Sequence, residues 1–248
     1  MSDEYYNMSI EQLSKSKILC YLNCPFQFKL KYINHLPSPA GPAAERGKDI
    51  HDIVDKFFDR LPYNKMHPDM FEDILKRLCG EEKFEEYSLY MGHFIRMETE
   101  RFNSVPKVHY RPKYREVHLG KNWRLHGIID RIDYEPSIGK YSVWDYKTGH
   151  VGSIKSHLFE LTLYSYLFSQ HFKKVIPVVG IYDLKKGRKI STELTQSHYD
   201  EMLKIVDEVF QRIRNEEYNK NPKANCFWCP QNMKKICRDI WGVEVIKC

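Results

Sequence analysis

The stretch of sequence that decides the fold runs from Gly127 to Gly149 and reads G-I-I-D-R-I-D-Y-E-P-S-I-G-K-Y-S-V-W-D-Y-K-T-G. Apolar residues before Asp130 and before Asp145 predict two buried strands, and the intervening E-P-S-I-G is typical of a turn. The two strands are therefore expected to pair as a hairpin. Because strand side chains alternate between faces, Asp145 and Lys147 should lie on one side, where Asp130 can converge with them.

Two convergent carboxylates and a lysine suit the hydrolysis of phosphodiester bonds. Mg²⁺ and Mn²⁺ prefer oxygen ligands and keep waters that can become nucleophiles. Lys147 can orient or deprotonate the attacking water and offset the charge that grows in the transition state. An isolated D-x-K on a strand is more often a surface ion pair. Here the preceding apolar strand, the second acid Asp130 and the loop that opens at Thr148 favour the catalytic interpretation.

The chain resembles the RecB-type nucleases of the PD-(D/E)XK superfamily along nearly its whole length. Besides the stretch above, four segments match that family's pattern in order: Leu13 to Ile33 with its Cys24-Pro25, Glu45 to His51, Arg115 to Leu119, and Leu161 to Leu167. The resemblance implies an α/β fold of the restriction-endonuclease type. Its mixed sheet would be flanked by helices, with a helical cap and a cysteine-stapled C-terminal tail.

The same resemblance implies site residues. Asp130, Asp145 and Lys147 would be catalytic, and the divalent metal would be bound by His51, Asp130, Asp145 and the main-chain carbonyl of Tyr146. The sequence around His51 is also consistent with a simpler role, since this residue borders an apolar helical stripe and could be a polar helix edge.

Nucleic-acid contacts are predicted beside the metal site. Arg131 directly follows Asp130, and Tyr164 lies on the helix predicted after Lys147. Both side chains could therefore contact the DNA strand that is cleaved. The family usually carries Gln four residues before this tyrosine, whereas the present chain has Glu160. Asp133 is expected to support Arg131 or the hairpin rather than bind metal.

Cysteines concentrate at the two ends of the chain. Seven cysteines without a secretory signal peptide favour metal ligation over disulfides and indicate a reducing cytoplasm, that of the host if the chain is viral. Spacing alone leaves zinc, an iron–sulfur cluster and a redox pair open. The resemblance to cluster-bearing RecB-type nucleases implies a 4Fe-4S cluster. Its ligands would be Cys24, Cys226, Cys229 and Cys237. Cys20, one helical turn from Cys24, could replace Cys24 geometrically, but the Cys24-Pro25 pair favours Cys24.

Length and composition fit a single domain over residues 1–248. Within it we expect a helical cap at about 43–102, a catalytic core at 107–184, and a cysteine-rich tail at 221–248 that packs with the N-terminal helix. The net charge of +6 and the pI of about 8.8 moderately favour an anionic partner. No segment is long and apolar enough to cross a membrane.

These features predict a Mg²⁺- or Mn²⁺-dependent deoxyribonuclease, an exonuclease that acts on single strands or free ends. The resemblance extends to CRISPR-adaptation and AddB-like nucleases. No Walker A pattern is present, so a helicase would be a separate partner, as would proteins of CRISPR adaptation or recombination. One alternative is a non-catalytic DNA-binding or assembly module with a structural cluster. Another is a zinc-binding nucleic-acid protein, but the tail supplies only three cysteines and no nearby histidine.

Overall fold

The computed structural model describes residues 12–62, 65–119, 125–227 and 229–242. The chain divides into two compact units. The first unit comprises Met1–Ala40, Gly120–His126 and Asp200–Cys248, and the second comprises Gly41–Leu119 and Gly127–Tyr199. In the described residues, no helix is long and apolar enough to span a bilayer.

In the described residues, most of the helices precede a run of three strands, and one helix separates that run from the last two strands. The helices are α1 (Lys15–Asn23), α2 (Pro25–Phe28, continued by a π-helical turn at Lys29–Ile33), α3 (Pro42–Arg60), α4 (Phe71–Cys79), α5 (Glu81–Glu86), α6 (Ser88–Ser104), α7 (Lys107–Tyr110), α8 (Leu158–Phe172), α9 (Gln196–Arg214) and α10 (Gln231–Trp241). Short 3₁₀ turns occur at Pro68–Met70 and Ile154–His157. The strands are β1 (Leu13–Ser14), β2 (Tyr114–Leu119), β3 (Leu125–Glu135), β4 (Lys140–Lys147), β5 (Val178–Asp183) and β6 (Arg188–Glu193).

The second unit is built on a mixed sheet in the order β2-β3-β4-β5-β6. Neighbouring strands are antiparallel except for β4 and β5, which are parallel. The predicted hairpin is present as β3 and β4, joined by a turn in which Gly139 has φ +64°. Positive φ is accessible to glycine because it has no Cβ. The mixed sheet flanked by helices, predicted from the sequence, is confirmed.

The two faces of this sheet have different neighbours. Trp144, Tyr146 and Tyr182 belong to the buried core that they share with side chains of α3, α4 and α6. Helix α8 contacts β2, β4 and β5. A Cβ on Gly127 of β3 would lie 3.0 Å from Leu167 Cδ1 of α8, so the absent side chain lets the helix approach the strand closely.

Helices α3 and α8 supply the remaining side chains of the site. Helix α3 begins at Pro42, which suits the first helical position, and its apolar stripe is buried. That stripe consists of Ile50, Ile53, Val54, Phe57 and Phe58. Helix α8 is buried over most of its circumference, and Glu160 and Tyr164 are among its buried residues.

The first unit brings the tail beside helix α1. The side-chain amide of Asn221 donates to the Asn23 carbonyl at 2.8 Å, and the backbone N–H of Asn225 donates to Asn23 Oδ1 at 3.0 Å. The Tyr21 hydroxyl donates to the Glu217 carbonyl at 2.6 Å. Strand β1 pairs in parallel with Leu125 and His126, the first two residues of β3.

Candidate active site

The two predicted acids come from adjacent positions of paired strands. Arg131 of β3 is opposite Trp144 of β4, so Asp130 directly precedes this pair and Asp145 directly follows it. Asp130 Oδ2 accepts a hydrogen bond from the backbone N–H of Tyr146 at 2.9 Å. The hairpin register thus brings the two carboxylates to one place, as the sequence predicts.

Lys147 lies between two carboxylates. Its Nζ is 2.6 Å from Asp145 Oδ2 on its own strand and 3.0 Å from Glu160 Oε1 on α8. Glu160 Oε1 is also 2.7 Å from His157 Nδ1. Sequence reasoning noted Glu160 only as a departure from the family pattern and missed His157. The i,i+3 spacing of H-x-x-E at a helix start could have indicated this contact.

Asp145 has the properties of a carboxylate that is ready to bind a cation. Its residue is 4% exposed, and among the described buried side-chain atoms its Oδ2 is one of three that make no hydrogen bond of acceptable geometry. The Lys147 ammonium lies 2.6 Å from this oxygen and compensates the charge of the carboxylate. A carboxylate oxygen of this kind is also of the type that hard divalent cations take as a ligand.

His51 reaches the same site from α3. Its Nδ1 lies 3.5 Å from Asp130 Oδ2, and its ring makes an edge contact with the Tyr146 ring at 5.8 Å between centroids. Burial lowers the pKa of His51, although Asp145 opposes the shift. The lowered pKa favours neutral imidazole, the form that binds metal.

The predicted metal donors are therefore neighbours, but they are not close enough to one another to form a complete metal-binding site. Within the described ranges, no three His, Cys, Asp or Glu side chains are grouped closely enough to hold a metal ion. The donor types, carboxylate oxygens with one imidazole, match those that Mg²⁺ and Mn²⁺ take in proteins.

The prediction that Arg131 contacts nucleic acid is wrong. Its side chain is 0% exposed and forms ion pairs with Glu98 at 2.5 Å and with Asp133 at 2.9 Å. Side chains alternate along a strand, so the residue after Asp130 points to the opposite face, into the core that contains Tyr182. The expectation that Asp133 supports Arg131 is confirmed.

Tyr164 faces the acids but is itself 6% exposed. Burial raises the pKa of its hydroxyl, and the nearby Asp145 and Asp130 raise it further. The hydroxyl therefore stays protonated and can donate a hydrogen bond. The ring is held against β3, where a Cβ on Gly127 would lie 3.2 Å from it. Its role in binding nucleic acid stays a prediction.

The four predicted cluster ligands belong to the first unit, but no three of them are grouped closely enough in the described residues to hold a metal ion. Cys24 comes from the end of α1, whereas Cys226, Cys229 and Cys237 come from the tail, and all four line one pocket. Burial raises the pKa of the adjacent Cys20 to about 11, with further contributions from Cys24 and Cys229. None of the six cysteines in the described residues forms a disulfide.

Comparison with known proteins identifies the family. Residues 12–238 match the model of the PD-(D/E)XK nuclease superfamily. The chain belongs to this superfamily, whose members generally use divalent metals such as Mg²⁺ or Mn²⁺. Both the β3–β4 hairpin and Cys237 fall within the matched range.

A solved structure shares the fold at low sequence identity. It is the crystal structure of a candidate exonuclease from Eubacterium rectale, with 11% identity and a TM-score of 0.52. The alignment covers 97% of this chain and 98% of that chain. No curated protein matches the chain.

Proposed function

We propose that this chain is a Mg²⁺- or Mn²⁺-dependent deoxyribonuclease of the RecB type, acting as an exonuclease on single strands or free DNA ends. The convergence of Asp130, Asp145 and Lys147 on the β3–β4 hairpin carries the proposal. His51, 3.5 Å from Asp130, adds the donor that the family resemblance predicts. The description of the Eubacterium rectale structure as a candidate exonuclease supports the end-dependent mode.

The residues divide the chemistry between them. Asp130, Asp145, His51 and the Tyr146 carbonyl would hold the divalent cation, which supplies Lewis-acid stabilisation and an acidic bound water. Lys147 places a positive charge beside Asp145, where it can stabilise the oxygens that become negative as the phosphodiester bond breaks. The Tyr164 hydroxyl can donate a hydrogen bond to the same phosphodiester oxygens.

Comparison of linear and circular substrates tests this function. End-labelled single-stranded DNA should be degraded from an end in the presence of Mn²⁺, and a chelator should stop the reaction. A covalently closed circle of the same sequence should be cut much more slowly. Lys147→Ala, purified in parallel, controls for a contaminating nuclease. Equal rates on the two substrates would show an endonuclease, and cleavage that persists in Lys147→Ala would refute the assigned site.

We also propose that the cysteine pocket of the first unit holds a 4Fe-4S cluster, with zinc as the alternative. Support comes from Cys24, Cys226, Cys229 and Cys237, which line one pocket although they are far apart in the sequence. Thiolates are the usual ligands of both groups. The bound group would fasten the tail to the end of α1.

Metal content distinguishes the two possibilities. Protein purified without oxygen should be brown and contain iron and sulfide in comparable amounts. Cys226→Ser should lose them and be less stable, because ligand binding is coupled to folding. Cys79→Ser is the matched control, since that thiol belongs to the second unit and donates to the Leu75 carbonyl at 3.1 Å. Colourless protein with stoichiometric zinc would favour the alternative.

A further inference from the structure

Glu160 is a buried carboxylate in the first turn of α8, directly beside the catalytic lysine. The residue is 6% exposed. One oxygen, Oε1, lies 3.0 Å from Lys147 Nζ and 2.7 Å from His157 Nδ1. A buried carboxylate destabilises a fold unless charged or hydrogen-bonding partners compensate it. The position of these two partners therefore indicates what Glu160 does.

The carboxylate limits the conformations of Lys147. A lysine side chain has four rotatable carbons and loses much rotamer entropy when it is fixed in one place. The Nζ of Lys147 contacts Asp145, which lies on β4, and Glu160, which lies on α8. Two contacts from separate elements define the position of the ammonium group more narrowly than either contact alone.

His157 determines the orientation of the carboxylate. The contact between His157 Nδ1 and Glu160 Oε1 requires a proton on Nδ1, because a carboxylate can only accept. The imidazole, whose side chain is 20% exposed, thus gives the same carboxylate oxygen a second partner besides Lys147. This pairing resembles the support that outer carboxylates and histidines give to site residues in other enzymes.

We propose that Glu160 is a positioning residue that holds the Lys147 ammonium at the acid pair, with His157 orienting its carboxylate. This inference rests on the proposed nuclease function. It gives the Glu160 side chain a role that acts only through Lys147, without contact with the substrate. The amide of glutamine, which also has an oxygen acceptor, should perform much of the same role.

A double-mutant cycle on cleavage separates positioning from a general effect on folding. Glu160→Ala should lower kcat about 10- to 100-fold with KM within about threefold, since a misplaced catalytic group affects the chemical step. Glu160→Gln should recover kcat to within about fivefold of wild type because its oxygen can accept from Lys147. The double variant Lys147→Ala/Glu160→Ala should be no slower than Lys147→Ala alone. His157→Ala should lower kcat less than Glu160→Ala does.

Glu193→Ala, at an exposed residue of β6, is the matched control and should leave kcat unchanged. Circular dichroism and urea unfolding confirm that each variant is folded. Additive losses in the double variant, or a Glu160→Gln variant as slow as Glu160→Ala, would overturn the positioning role alone. A wild-type chain that cleaves no DNA would overturn the proposed function and the positioning role with it.

Discussion

Replacement of Arg131 by methionine should destabilise the protein strongly. Arg131, Glu98 and Asp133 are each 0% exposed. The arginine is 2.5 Å from Glu98 Oε1 through Nη1 and 2.9 Å from Asp133 Oδ1 through Nε. Methionine fills a similar volume, so the variant removes the charge and leaves little cavity. Asp133 would keep Arg101 at 3.5 Å, whereas Glu98 would lose its ion-pair partner.

The magnitude follows from the burial of the pair. Removal of one partner of a buried ion pair costs about 3–5 kcal/mol, because the other charge stays buried without compensation. Domains of this kind have a total free energy of unfolding of about 5–15 kcal/mol. Arg131→Met should therefore lose a large part of its stability. The free energy of unfolding of Arg131→Lys should lie between those of Arg131→Met and wild type, since lysine keeps the charge but not the forked geometry of the guanidinium group.

Urea unfolding followed by circular dichroism measures this effect. The matched control is Lys204→Ala, which removes an exposed ion pair with Glu208 and should change the free energy of unfolding by less than about 0.5 kcal/mol. If Arg131→Met were as stable as wild type but bound single-stranded DNA more weakly, the arginine would contact phosphate. That result would refute the structural role argued above.

Three further variants test separate parts of the structure. Gly127→Ala should lower the free energy of unfolding by about 1–3 kcal/mol, because its Cβ would meet Leu167 at 3.0 Å; unchanged stability would show that α8 can move away. Burial raises the pKa of Asp55 to about 6, so its stabilising contribution is complete below its ordinary pKa of 3.8 and is lost as pH rises through 6. Asp55→Asn should accordingly raise Tm relative to wild type more at pH 8 than at pH 4, and a pH-independent difference would contradict that shift. His51→Ala should require about 10- to 100-fold more Mn²⁺ for half-maximal cleavage, whereas an unchanged titration would assign His51 to the helix edge.

The sequence predicts the parts of the site that depend on short-range patterns. The alternation of Asp145 and Lys147, together with a turn signal of five residues, is sufficient to bring Asp130 beside them through the hairpin register. The error at Arg131 arose because adjacency in sequence was taken as adjacency in space, although neighbouring strand residues face opposite sides.

Other features depend on contacts between distant segments. The pairing of Glu160 with Lys147 joins α8 to β4, and no local periodicity specifies which side chain of a helix reaches a neighbouring strand. The pocket that Cys24 shares with Cys237 likewise depends on the packing of the tail beside α1. Only the family resemblance indicated that these cysteines would belong to one site. The division into two units has no clear signal in composition.

The central claim is that DNA cleavage takes place at Asp145, and a single-turnover measurement tests it most directly. Asp145→Asn keeps the volume of the side chain and removes its charge next to Lys147. With excess protein and Mn²⁺ on end-labelled single-stranded DNA, this variant should cleave at least about 1,000-fold more slowly than wild type, while binding the strand with similar affinity. Cleavage by Asp145→Asn within about tenfold of the wild-type rate would contradict the account, because the reaction would then take place elsewhere.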